Sequence, residues 1–278
     1  MTGTDVKLVA TDLDGTLLGA GTEVSARTTA ALRGAVAAGA EVVVITGRSH
    51  HSAVPLLRHL DDAIRWVVCS NGASLYDQAV GALVEHLPLA GDALARMVEA
   101  ITGKFRRVAF AWETPHGLFH SRQWAELREG GDARFSPRHS LLADGPAPAG
   151  DDVLKLLVAH DTLVGHDWFE ALAPHVPVDL SAATSGASFV EVTGDGVTKG
   201  AALERMCRRL GIERSATVAF GDNGNDVDML RWAGRGYAMA NAHPSARAAA
   251  GATAPDHRHD GVAVVLEQLL ALGPATGV

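Results

Sequence analysis

The sequence predicts an α/β protein: a doubly wound, mainly parallel sheet of Rossmann-like type, interrupted by an inserted α+β unit. Three observations carry this prediction. Short apolar runs alternate with helical stretches, which is the pattern of right-handed βαβ units. Each run stops at a polar, glycine-containing loop, where open parallel sheets place their ligands. Near the middle of the 278 residues the rhythm breaks, and a chain of this length exceeds the usual single-domain size.

Leu8-Val9-Ala10 opens the series as a buried strand, with Asp12-Leu13-Asp14-Gly15-Thr16 at its end. Two carboxylates one residue apart repel unless something positive stands beside them, most simply a hard divalent cation with oxygen ligands. One carboxylate is then free to act as a nucleophile and the other to handle a proton. Taken alone, the same residues also describe a solvated turn bent at Gly15. Ser25 to Ala38 carries Ala, Leu and Val at helical spacing and stops at Gly39. Glu41 to Ile45 forms a second strand ending in Thr46-Gly47-Arg48, and a helix around Ser52 to His59 leads to a third strand. That strand, Trp66 to Cys69, ends in Ser70-Asn71-Gly72. Three strand ends thereby present Asp12, Thr46 and Asn71 to one sheet edge.

From about Gly81 the pattern changes. Leu89 to Thr102 reads as a helix, Arg107 to Trp112 and Leu154 to Ala159 as strands, and Trp168 to Ala173 as another helix. Between them, Arg122 to Asp152 is polar and rich in Pro and Gly, without a regular period. This middle segment is the expected insert, an antiparallel sheet with helices on one face. Residues 1–82 and 187–278 then form the core, and 83–186 the inserted domain.

Ser188 to Val192 is expected to resume the core strands, and Gly194-Asp195-Gly196 turns the chain into a helix from about Thr198 to Leu210. Lys199 at that helix's start lies beside the positive end of the macrodipole and therefore calls for an anion. Ser215 to Phe220 is a further strand, stopping at Gly221-Asp222-Asn223-Gly224-Asn225-Asp226. Helical spacing through Val227, Met229, Leu230 and Trp232, a strand at Gly236 to Ala240 and a helix at Gly261 to Leu272 complete the series.

Composition narrows the function. Hydrophobic residues at 47% and charged ones at 20% mark a soluble globular protein. The net charge of −8 argues against general binding to nucleic acid or to an anionic membrane, since both need a basic face. No apolar run approaches the roughly 20 residues of a membrane span, and the N-terminus shows no basic-then-apolar leader, so a cytoplasmic protein is expected. Cys69 and Cys207 are too few for a disulfide framework and lack metal-ligand spacing. His50-His51 and His257-x-His259 do not converge easily on one tetrahedral ion and are read as surface residues.

Asp12 and Asp14, Thr46, Asn71, and Asp222 with Asn225 and Asp226 thus stand at the ends of four apolar strands, with Lys199 entering from a helix. The set fits phosphoryl transfer: the acids supply metal ligands and a nucleophile, while Lys199, Thr46 and loop N–H groups surround phosphate oxygens. These residues carry a resemblance. DLDGT at 12–16, ITGR at 45–48, SNGA at 70–73, GVTKG at 196–200 and GDNGND at 221–226 are similar to the ordered motifs of the haloacid dehalogenase superfamily of phosphohydrolases. The long insert between the second and third motifs resembles that of the Cof-type branch, with its large α/β cap.

The resemblance implies a phosphatase of small phosphate monoesters, sugar phosphates among them. It implies Asp12 as nucleophile and Asp14 as the acid and base. Mg²⁺ would be held by Asp12, the backbone carbonyl of Asp14, and Asp222. Thr46 and Lys199 would bind phosphoryl oxygens, Asn71 and Gly72 would touch the phosphate or its ester, and Arg48 would reach the substrate or form a surface salt bridge. Asp226 and Asn225 would support the metal shell or orient Lys199. Gly224 departs from the pattern, because many relatives carry an acid there. A phosphomutase, and a phospho-aspartate switch or binding protein without turnover, are the alternatives. The expected partner is a small phosphorylated metabolite, and no motif specifies an oligomeric state.

Overall fold

The computed structural model describes residues 6–19, 21, 23–128, 140–142 and 152–270. Strand β1 (Leu8–Thr11) pairs in parallel with β2 (Glu41–Ile45), and β2 with β3 (Trp66–Cys69). β3 then reverses into antiparallel β4 (Ser74–Asp77) and β5 (Ala82–His86). A second, six-stranded sheet follows, made of β6 (Val108–Thr114), β7 (Gly117–His120), β8 (Ser140–Leu142), β9 (Lys155–His160), β10 (Leu180–Ala183) and β11 (Phe189–Gly194). The chain returns to the first sheet with parallel β12 (Thr217–Gly221), β13 (Arg235–Met239) and β14 (Ala252–Ala254). The first sheet therefore has the order β14-β13-β12-β1-β2-β3-β4-β5. β1 lies between the two directions of winding, and such a switch point leaves a crevice beyond the strand ends.

Alternation along the parallel strands buries both faces, as their continuous apolar character requires. Val9, Val42, Val44, Val67 and Phe220 point to one side. There they pack under α1 (Ala26–Ala37), α2 (His50–Leu57) and α9 (Gly261–Leu269) through Leu32, Leu57 and Leu266. Leu8, Ala10, Val43, Ile45 and Ala219 point to the other side. They meet Leu203 and Met206 of α6 (Lys199–Leu210), Met229 and Leu230 of α7 (Val227–Trp232), and Ala246 of α8 (Pro244–Ala249).

On the second sheet, Phe110, Trp112, Leu156, Val158 and Val190 pack against Met97 and Ile101 of α3 (Gly91–Lys104) and Trp168 of α5 (Gly165–Leu172). Its opposite face carries Ala109, Ala111, Leu157 and Phe189, joined by Trp124 of α4 (Arg122–Arg128).

Several expectations change here. The strand expected at 188–192 forms as β11, but it pairs with β9 and β10 and so belongs to the second sheet. β5 remains in the first sheet, so 83–86 pairs with the core strands and not with the insert that the sequence predicts from residue 83. Helical packing is not confined to one face of the second sheet, because Trp124 covers the other. Within the polar stretch 122–152, α4 and β8 are regular; 129–139 and 143–151 lie outside the described residues, as do 271–272 at the end of the last expected helix. Among the described residues, no helix is long and apolar enough to cross a membrane.

Candidate active site

The backbone of β1 continues past Thr11, with the Asp12 N–H donating to the Phe220 carbonyl of β12 at 3.0 Å. Asp12 is left only 5% exposed at the strand end. Lys199 is the first residue of α6, and its Nζ lies 2.8 Å from Asp12 Oδ1 and 2.7 Å from Asp226 Oδ1. The anion called for at this helix start is supplied by these two carboxylates. The second oxygen of Asp226 accepts the N–H groups of Asp222 and Asn223, both at 2.9 Å. Both oxygens of Asp226 are therefore engaged in fixing Lys199 and the 221–226 loop. Asp222 Oδ1 accepts the Thr16 hydroxyl at 2.8 Å. Gly15 makes this approach feasible: its φ is +72°, and a Cβ there would stand 2.5 Å from Asp222 Oδ2.

Carboxylate oxygens of Asp12, Asp222 and Asp226 lie within 4.8 Å of one another. Burial raises the Asp12 pKa well above the usual carboxylate range; Lys199 opposes the shift, and the neighbouring acids reinforce it. Asp222 is pushed up to about 7, first by burial and then by Asp226, against the Thr16 hydrogen bond and Lys199. Burial would lower the Lys199 pKa, but Asp12 and Asp226 outweigh it and the ammonium form is reinforced. Three buried acids around one ammonium group leave surplus negative charge, and their oxygen donors suit a hard divalent cation.

The second strand end adds another layer. The Thr46 N–H donates to the Val68 carbonyl at 2.9 Å, and Thr46 Oγ1 accepts the Arg48 N–H at 3.1 Å. Arg48 grips Asp14 through Nε at 2.7 Å and Nη2 at 2.6 Å, a bidentate pair, and donates from Nη1 to Ser52 Oγ at 3.0 Å. In this arrangement Arg48 is the partner of Asp14 and also lines the cavity above it. A cavity of about 230 Å³ opens above these groups, lined by Asp12, Asp14, Thr46, Arg48, Asp222 and Asn225. From the other side it is closed by Leu118, Phe189, Glu113, Lys155 and Glu191 of the second sheet.

Asn71, Gly72, Lys199 and Asp226 do not line that cavity. Asn71 is buried with φ +56°, and its Oδ1 accepts Asn225 Nδ2 at 3.0 Å. Gly72, at φ +108°, backs onto the start of α6, where an added Cβ would come within 2.7 Å of the Thr198 carbonyl. Asn71 and Gly72 thus make protein contacts beneath the cavity, where the chain reverses into β4. Lys199 stands behind Asp12, buried to 1% exposure. Gly224, where an acid is common in the resembled family, abuts the Thr184 carbonyl, which an added Cβ would approach to 3.1 Å.

Glu113, Lys155 and Glu191 were not singled out from the sequence. Their signal is a single charge inside an otherwise apolar strand, as in Val108–Glu113, Lys155–Ala159 and Phe189–Val192. Such a charge needs a buried partner.

Comparison with known proteins agrees with the motifs. A family model for haloacid dehalogenase-like hydrolases matches residues 9–266. The chain is 30% identical over 292 residues to "Phosphatase YwpJ" of Bacillus subtilis, covering 95% of this chain and 100% of that protein. It is 28% identical over 264 residues to "Pyridoxal phosphate phosphatase YbhA" of Escherichia coli, covering 92% and 96%. The solved structure of a haloacid dehalogenase-like hydrolase from B. subtilis superposes with a TM-score of 0.80 at 27% identity, covering 95% of this chain and 100% of that one. On fold, ordered motifs and family match together, the chain belongs to the haloacid dehalogenase-like hydrolases.

Proposed function

We propose that this hydrolase is a magnesium-dependent phosphatase of small phosphate monoesters, working through a phosphorylated Asp12. The observation that carries the reading is the meeting of Asp12, Asp14, Thr46 and Asp222 on one cavity, with Lys199 directly behind Asp12. Asp12 and Asp222, with the backbone carbonyl of Asp14, would hold Mg²⁺; the ion supplies positive charge to the phosphoryl oxygens and to the crowded acids. Asp226 has both oxygens committed to the protein and acts as a support.

Asp12 attacks phosphorus as the ester P–O bond breaks, and Asp14, protonated on a lone pair that the Arg48 guanidinium leaves free, passes that proton to the departing alkoxide. Asp14, now a carboxylate, takes a proton from water as that water attacks phosphorus. The bond to Asp12 breaks, and inorganic phosphate and free Asp12 result. Thr46 donates to a phosphoryl oxygen. Lys199 opposes the upward shift that burial imposes on the Asp12 pKa and adds positive charge behind the reacting centre.

A small metabolite suits a cavity of about 230 Å³ closed by Leu118 and Phe189. The name of the E. coli relative, a pyridoxal phosphate phosphatase, falls in the same substrate class. Both cysteines are free and buried, which fits a reducing compartment and supports a cytoplasmic location. The test is release of inorganic phosphate from a panel of phosphorylated metabolites with magnesium and with chelator. Turnover with magnesium that chelator abolishes is the expected result. Stoichiometric labelling of Asp12 without turnover would instead favour a phospho-aspartate switch.

A further inference from the structure

Glu113, Lys155 and Glu191 come from three adjacent strands of the second sheet. Glu113 and Lys155 face each other in the antiparallel register of β6 and β9, and Glu191 pairs with Leu157, two residues along from Lys155. By strand periodicity all three share one face. They are 3%, 2% and 3% exposed. Lys155 Nζ lies 2.9 Å from Glu191 Oε1 and 3.2 Å from Glu113 Oε2, and donates to the Gly47 carbonyl of the first sheet's loop. An ammonium group has three protons, and these partners occupy them, so Lys155 has none left for a phosphate. Glu113 also accepts the hydroxyl of Ser70.

The backbone receiving these contacts is unusual. Ser70 and Asn71 are consecutive non-glycine residues with φ of +55° and +56°, a conformation that surrounding contacts must hold. The Ser70 N–H donates to the Arg48 carbonyl at 2.9 Å and the Asn71 N–H to the Thr46 carbonyl at 3.0 Å. The second sheet therefore grips the two strand-end loops that brace each other, and one of them carries Thr46 and the arginine paired with Asp14. Burying three charges is costly, and an apolar trio would fill the space at less expense. What the cluster holds is thus the place to look for its effect.

We infer that Lys155, with Glu113 and Glu191, is a positioning residue: the second sheet uses it to fix the 46–48 turn, which keeps Arg48 against Asp14 and so places the proton-transferring carboxyl. This rests on the phosphatase reading. If it holds, loss of the cluster harms proton delivery to the leaving group more than it harms phosphoryl binding. A nitrophenolate leaves without much protonation, whereas an alkoxide needs it.

The test uses the full chain with magnesium and two esters, p-nitrophenyl phosphate and glycerol phosphate. Lys155→Met should lower kcat on glycerol phosphate at least about tenfold more than on p-nitrophenyl phosphate, a fraction of what general acid catalysis contributes, with KM little changed. Ser70→Ala, which removes the Glu113 contact and keeps the ion pairs, should show the same split at smaller size and carries the test should Lys155→Met fail to fold. Equal losses on both esters, as from a reduced folded fraction, or no loss at all, would overturn the inference. Absence of magnesium-dependent turnover by the unmutated protein on either ester would overturn the phosphatase reading itself.

Discussion

An ammonium group with no exposed side-chain surface, bonded to carboxylates at 2.8 and 2.7 Å, cannot be removed without leaving Asp12 and Asp226 uncompensated. Lys199→Met should therefore cost about 3 to 5 kcal/mol of stability in chemical denaturation. It should also lower kcat by roughly 10²- to 10³-fold, as for other groups that stabilise transition-state charge. Asp12→Asn acts in the opposite sense on the fold, because it removes one negative charge from a crowded acidic cluster. Its circular dichroism should match the parent while phosphate release falls by more than roughly 10³-fold. At this scale the sequence was informative wherever an acid, hydroxyl or amide ended an apolar run, as at Asp12, Thr46 and Asp222. It named Arg48 but was silent about its partner, since nothing local says that a guanidinium at position 48 meets a carboxylate at position 14.

Among the elements, Gly72 shows how a loop can act through a helix. At φ +108° it seats the start of α6, and Gly72→Ala would strain the turn and press on the Thr198 carbonyl. The substitution should lower stability by about 1 to 3 kcal/mol and displace Lys199, so that kcat falls more than KM rises. Melting temperature and steady-state kinetics on one ester check both parts. Elements with strong periodicity, such as β1 to β3 and α6, were legible because their own residues carry the pattern. β11 was legible as a strand but not as a member of the second sheet. Phe189–Val190–Glu191–Val192 is apolar enough to pair in either sheet, and pairing is decided by strands distant in sequence. Glu191 was the one local hint, because its charge needs the partner that β9 provides.

For the molecule as a whole, the acidic cluster couples stability to pH and to metal. Asp222 binds its proton more tightly in the fold, about 7 against an ordinary 3.8, and Asp12 shifts the same way. Between those values the folded chain holds more protons than the unfolded one, so stability falls as pH rises through about 7. Melting temperature in chelator should drop from about pH 5.5 to about pH 8, and the increase on adding magnesium should be larger at the higher pH. A magnesium effect independent of pH would contradict an ion held by these carboxylates. The doubly wound class and the hydrolase family were legible because widely separated motifs fall at successive strand ends. The closing of the cavity by the second sheet was not, since it depends on how two sheets meet.

Glu191, on the side of the cavity closed by the second sheet, and Lys199, behind Asp12, lie on one unbroken run, β11, a turn at Gly194 to Val197, and the start of α6. The roof of the chamber and its deepest charge are thus joined by a covalent tether of a few peptide units. The strand that closes the cavity therefore runs directly into the helix that sets the lysine behind the nucleophile.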